Sequence, residues 1–207
     1  MLENLILNKI NFFYFFISYL IGTLPFWYIF FKLVKKKDIR NYGSGNIGAP
    51  NVNRLLGKEF GFITLFLDFF KTFLPTFLVN IINGYEIAAL CGLFCILGHM
   101  FPVWLKFRGG KGVASFIGFL SVISWPIFIS FLCIWIIVVK KLKYSSLGAI
   151  IAVIFNIIIF KFILYIQFTY SLFLWIPGEP YEFYVTAFIS LLILIKHTKN
   201  IKALIKK

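Results

Sequence analysis

Acidic residues are scarce in this 207-residue chain, in which seven Asp and Glu stand against 21 Lys and Arg. Its only aspartates, Asp38 and Asp68, lie far apart in sequence, so the clustered carboxylates that hold divalent ions in metal-dependent phosphotransferases are missing. No metal and no other cofactor is therefore expected. The three cysteines, Cys91, Cys95 and Cys133, sit in apolar runs and form no secretory disulfide framework. Cys91 and Cys95 are four apart on an expected helix and read as packing residues rather than metal ligands. Histidine occurs twice, at positions 99 and 197. No internal repeat is visible, so the inverted-repeat signature of many transporters is missing too.

What the chain has in abundance is apolar length. Hydrophobic residues make up 61% of it and the mean hydropathy is +0.93, too apolar for an ordinary soluble domain. The formal charge of +14 would suggest nucleic acid in a soluble protein. Here the basic residues gather at the ends of apolar segments, as the positive-inside rule requires, so no nucleic-acid partner is expected and the lipid bilayer is the partner instead.

Apolar segments are read at about 9–31, 60–82, 87–105, 113–125, 126–139, 146–166 and 183–195. The first ends in KLVKKKDIR without a small-residue cleavage site and reads as a retained helix, not a signal peptide. The pieces at 113–125 and 126–139 are short for a crossing, and the turn at Trp125-Pro126 allows either two short helices or a re-entrant hairpin. The aromatic stretch QFTYSLFLWIPGEPYE suits an interfacial loop on the outer side. All Lys and Arg except Lys9, Lys71 and Lys161 fall in four regions that must share one face. The expected fold is therefore an all-α integral membrane protein, a bundle of seven transmembrane helices in one domain spanning 1–207. Its N-terminus lies outside, its C-terminus is cytoplasmic, and glycine-rich cytoplasmic loops form the site.

Those loops carry the polar motifs. GSGNIGAPNVNR, from Gly43 to Arg54, holds three glycines, a serine, three asparagines and an arginine. Gly43, Gly45 and Gly48 can take positive φ and let backbone N–H groups converge on an anion. Ser44, Asn46 and Asn51 add neutral donors, and Arg54 adds a planar charged fork suited to phosphate or carboxylate. FRGGKGVAS sets Lys111 in a glycine-lined turn that opens a helix, another place for an anion. It is no Walker loop, because Gly112 follows Lys111. YSS at 144–146 and KHTKN at 196–200 complete the set, with His197 and Asn200 on one helical face. Asp68 and Lys71, three apart within an apolar segment, should pair, face the bundle interior or border the site. A structural ion pair and a catalytic role both remain open for them.

In their order and content these segments resemble the acyl-phosphate:glycerol-3-phosphate acyltransferase family of bacterial membrane enzymes. The likeness rests on GSGNIGAPNVNR, GHMFPVWLKFRGGKGVAS and KHTKNI, with DIR at 38–40 and DFFK at 68–71 as supporting pieces. It departs from the family at Pro50 and Ser115, where threonine is usual, and at Lys199, where an acidic residue is usual. The resemblance implies transfer of a fatty acyl group from acyl phosphate to glycerol-3-phosphate, giving 1-acylglycerol-3-phosphate (lysophosphatidate) and phosphate at the start of phospholipid synthesis. It places Ser44, Asn46, Arg54 and Lys111 around the phosphates. Gly45, Gly48, Gly109, Gly110 and Gly112 permit close backbone approach, and Ser146, His197 and Asn200 complete the pocket. It further implies a multi-pass protein of the bacterial plasma or inner membrane whose site faces the cytoplasm. Either His197 or a substrate phosphate oxygen could take the hydroxyl proton.

Two rival readings stand beside this one. Acyltransferases that use a His and an Asp five residues on are excluded, since Trp104 follows His99 and Lys202 follows His197 at that spacing. A membrane transporter for a phosphorylated metabolite would also use a basic glycine-rich pocket and is the alternative reading.

Overall fold

The computed structural model describes residues 9–205, and within them every regular element is helical. Two compact units divide the chain, Met1–Phe119 and Leu120–Lys207. Five stretches are long and apolar enough to cross a membrane: Lys9–Lys35, Lys58–Asn83, Tyr85–Leu105, Trp125–Leu142 and Ser145–Tyr170. The protein is thus all-α with several candidate membrane spans.

The first stretch differs from its expected form as one continuous helix. It breaks into α1 (Lys9–Gly22) and α2 (Phe26–Lys35) because Pro25 has no N–H and cannot extend the helical ladder. A break at membrane depth is tolerated only when its backbone groups find partners. Here the Leu24 N–H reaches the Ile21 carbonyl at 3.2 Å, and the Leu24 carbonyl accepts from Lys71 Nζ at 3.3 Å. The Thr23 hydroxyl donates to the Leu20 carbonyl at 2.6 Å and accepts from the Trp104 indole at 3.0 Å.

After the first polar loop come α3 (Ala49–Leu56), α4 (Lys58–Asn83) and α5 (Tyr85–Met100), separated by Gly57 and Gly84 at φ 100° and 81°. Helix α5 packs on both α1 and α4. The α1 contact is backbone to backbone, since a methyl group on Gly22 would collide with the Cys95 carbonyl and one on Gly98 with the Tyr19 carbonyl. Small residues at a membrane helix crossing permit that approach. Helix α6 (Val113–Ile123) follows the second polar turn. At 11 residues and about 1.5 Å rise each it is far shorter than the ~30 Å apolar core of a bilayer.

In the second unit, α7 (Trp125–Leu142) packs on α8 (Ser145–Tyr170), which packs on α9 (Pro180–Lys196) and α10 (Thr198–Ile205). The Ser130 hydroxyl donates to Asn156 Oδ1 at 2.6 Å, satisfying part of a buried amide between α7 and α8. Helix α9 has 17 residues and begins in a capping box formed by Glu179 and Glu182, which satisfies two otherwise orphaned N–H groups. Many large apolar side chains point outward, including Phe62, Phe66 and Phe77 of α4, as a lipid-facing surface requires.

Candidate active site

The Gly43–Arg54 loop is organised around Asn51. Its side chain is buried at 1% exposure, its Oδ1 accepts from the Ser44 N–H at 2.9 Å, and its Nδ2 donates to the carbonyls of Asn46 at 2.9 Å and Tyr42 at 3.1 Å. A single amide thus holds the loop's shape, and the polar atoms of Asn51 are engaged by the backbone. Gly43 and Gly45 take positive φ, 60° and 70°, as expected. Gly48 does not; at φ −82° it is the N-cap of α3, with Pro50 in the first helical turn, where a missing N–H costs nothing. Ser44 is exposed and Asn46 half-buried.

Upstream, Asp38 and Arg40 form a latch. The guanidinium donates to both Asp38 oxygens at 2.6 to 3.0 Å, lies over the Tyr28 ring at 5.1 Å and reaches the Leu105 carbonyl at 3.4 Å. Its hydrogen bond holds the Asp38 carboxyl below the usual carboxylate range, and the Arg40 pKa is raised in return. Beneath the latch Ile39, Ile47 and Val52 share one buried apolar cluster with Trp27, Phe31 and Leu105. Leu105 stands at the root of the second polar turn. The two motifs, more than 50 residues apart in sequence, are thereby packed on one core.

That second turn uses its glycines differently from the expectation. Gly109 and Gly110 donate their N–H groups to the carbonyls of Met100 at 3.2 Å and His99 at 3.1 Å, so these amides are engaged with the end of α5. A methyl group on Gly110 would collide with His99 Nε2, and one on Gly109 with the His99 carbonyl. Both glycines serve close packing first. Gly112, at φ 83°, accepts from the Phe116 N–H at 2.8 Å and starts α6, leaving Lys111 half-buried just before the helix N-terminus, as expected. Burial lowers the Lys111 pKa, and the nearby positive charge of Arg54 lowers it further. Two cations held within electrostatic reach of each other repel unless an anion lies between them.

Asp68, Lys71 and His99 form a buried polar cluster in the same unit. Asp68 Oδ1 is 2.8 Å from Lys71 Nζ and 3.4 Å from His99 Nδ1. With Thr23, Leu24, Ile47 and Pro102 these side chains line a cavity of about 10 Å³, room for roughly one water. The expected pairing of Asp68 with Lys71 is present and faces inward. Sequence alone assigns His99 no role; the signal it carries is the cost of placing one of only two histidines inside an apolar helix.

In the second unit Ser146 lies half-buried in the first turn of α8. His197 caps the end of α9, is 2% exposed, and has Nδ1 at 2.8 Å from the Ile193 carbonyl. A carbonyl only accepts, so Nδ1 carries a proton here. The Asn200 N–H donates to the His197 carbonyl at 2.8 Å, starting α10 one turn on from His197.

Against known proteins, residues 12–207 match the family described as glycerol-3-phosphate acyltransferase. A glycerol-3-phosphate acyltransferase of Bartonella henselae is 42% identical over 195 residues, covering 92% of this chain and 86% of that one. One from Rhodopseudomonas palustris is 39% identical over 188 residues, with 91% and 88% covered. Among solved structures, the crystal structure of PlsY, an integral membrane glycerol 3-phosphate acyltransferase, matches in its glycerol 3-phosphate form with a TM-score of 0.82 at 32% identity, covering 95% of this chain and 92% of that one. Its lysophosphatidic acid form matches with a TM-score of 0.80. On sequence and fold together, the chain belongs to the glycerol-3-phosphate acyltransferase family.

Proposed function

We infer that the protein transfers a fatty acyl group from acyl phosphate to glycerol-3-phosphate, releasing 1-acylglycerol-3-phosphate and phosphate. The observation that carries this reading is the packing of both glycine-bearing motifs on one buried cluster, with the positive charge of Arg54 felt at Lys111. Each substrate carries phosphate, and phosphate is the leaving group. Paired cations stabilise those anions and the charge that develops as the acyl–phosphate bond breaks. The relatives named above are acyltransferases, which favours this reading over transport.

In the step itself the glycerol hydroxyl oxygen bonds to the acyl carbon, the carbon–oxygen bond to phosphate breaks, and phosphate leaves with the electron pair. Ser44, Asn46 and the Gly45 and Gly48 backbone border the phosphates beside Arg54 and Lys111. Ser146, His197 and Asn200 are assigned to the same reaction by the sequence resemblance. The hydroxyl proton has two acceptors to choose from, Nε2 of His197 and an oxygen of a substrate phosphate. His197→Gln tells them apart: a loss on the order of 10²- to 10⁴-fold points to the imidazole, and a loss of a few-fold points to phosphate.

The placement of basic residues supports a multi-pass topology in the bacterial plasma membrane, seven crossings in one acyltransferase domain of residues 1–207, with the polar motifs at the cytoplasmic face. The acyl chain then stays among apolar helices while glycerol-3-phosphate enters from the cytosol. Purified protein in detergent, given both substrates, should release inorganic phosphate and form lysophosphatidate. Uptake of a phosphorylated metabolite into vesicles without product would instead support the transporter.

A further inference from the structure

We propose that His99 is a positioning residue for Lys111, set beside the buried Asp68 carboxylate and acting through Gly110. This rests on the acyl-transfer reading for its effect on rate, but the geometry stands by itself. His99 holds the second turn in two ways: its carbonyl accepts the Gly110 N–H at 3.1 Å, and its ring lies so close to the Gly110 α-carbon that no side chain fits there. Gly110 directly precedes Lys111.

The ring is buried beside an ion pair. Its Nδ1 stands 3.4 Å from Asp68 Oδ1, an ion-pair distance rather than a hydrogen bond, and that carboxylate is fixed by Lys71 Nζ at 2.8 Å, which also donates to the Leu24 carbonyl at the break between α1 and α2. Asp68 and Lys71 are the charged groups that face His99 from α4, and both are nearly buried. On the far side of Lys111, the Ser115 hydroxyl donates to the Asp68 backbone carbonyl at 3.1 Å. Both flanks of the Lys111 turn therefore lead back to Asp68, one through an imidazole and one through a serine.

A histidine that merely filled the core would need no such arrangement. Leucine or phenylalanine would fill the space without burying an ionisable cluster in a membrane segment, where it is costly. What the cluster adds is a fixed negative charge beside the ring, which favours one orientation of it and hence of the turn resting on it. Displacing a charged group by about 1 Å in a site of this kind costs on the order of a hundredfold in rate.

The test is a double-mutant cycle in full-length detergent-solubilised protein, measuring acyl transfer and the rate at which an amine-directed reagent labels Lys111, read by peptide mass spectrometry. His99→Phe keeps the ring volume and removes the nitrogens; His99→Asn keeps a polar atom near the Nδ1 position. We expect His99→Phe to lower transfer roughly 10- to 100-fold, to change the Lys111 labelling rate, and to cause little further loss in a Lys111→Ala background, since residues acting through one another are not additive. His99→Asn should recover part of both signals. Should His99→Phe fail to fold, Gly110→Ala, which presses on the ring from the other side, takes its place in the cycle. An equal loss with and without Lys111, or unchanged labelling of Lys111 in the folded variants, overturns the proposal. Wild-type protein with no acyl transfer overturns the proposed function instead, and the labelling comparison still decides the role of His99.

Discussion

The Cys95 thiol donates to the Lys71 carbonyl at 2.9 Å across the α4–α5 contact. That carbonyl would ordinarily receive the N–H of residue 75, which is proline and has none. Cys95 thus supplies from the neighbouring helix the donor that α4 lacks, a few atoms from the Lys71 ammonium that pairs with Asp68. Cys95→Ala should destabilise the protein by about 1 to 3 kcal/mol, the cost of leaving a buried acceptor unsatisfied. Cys95→Ser should restore most of it. Thermal unfolding in detergent reads both, and equal losses in the two variants would show that packing alone is at stake.

Asn51 gives a second prediction. Because one amide makes three hydrogen bonds to the loop backbone, Asn51→Ala should loosen residues 42–46 together and lower transfer by tenfold or more, a loss typical of misplaced binding groups. Asn51→Asp keeps the acceptor for the Ser44 N–H but loses both donors, so it should fall nearly as far. If Asn51 instead touched substrate only, the loop would stay protected in hydrogen exchange when it is replaced. We expect that protection to drop.

The apolar lengths, the basic faces and the motif composition make the membrane class and the family legible in the sequence. The division of labour among polar residues was not. Asn51 looked like a ligand donor because its side chain could not be distinguished from Asn46 until the chain was folded. Gly109 and Gly110 looked like bare amides for an anion, yet their N–H groups meet the carbonyls at the end of α5. That pairing depends on a turn spanning residues 99–110, which no local pattern announces. The break at residues 23–25 was hidden for a similar reason, since Pro25 sits within an apolar run and its partners Lys71 and Trp104 come from far along the chain.

Metal removal gives a third prediction. Among the described residues no group of three or more His, Cys, Asp and Glu is placed to hold an ion. Transfer should therefore persist after exhaustive chelation, with kcat changed less than twofold, a difference well under 1 kcal/mol. Strict dependence on magnesium would contradict the assignment of charge stabilisation to Arg54 and Lys111.

The last prediction concerns pH and follows from the environment of Lys111. Burial, then the charge of Arg54, lowers its pKa from the ordinary 10.5. Only the protonated form attracts phosphate, so affinity for inorganic phosphate should be full below the lowered pKa. It should decline through an alkaline limb that begins earlier than for an exposed lysine. The sign for folding is opposite: the native state holds this proton less tightly than the unfolded chain, so the cost of the buried charge is complete below the lowered pKa and disappears as pH rises toward 10.5. Lys111→Arg should abolish the limb in binding, because guanidinium stays charged throughout. Arg54→Ala should weaken phosphate binding at neutral pH yet move the limb upward, since one of the two causes of the shift has gone. Inhibition of transfer by inorganic phosphate, measured from pH 7 to pH 10 in the three proteins, checks all of this. A limb unmoved by Arg54→Ala would mean that the two cations do not share an anion.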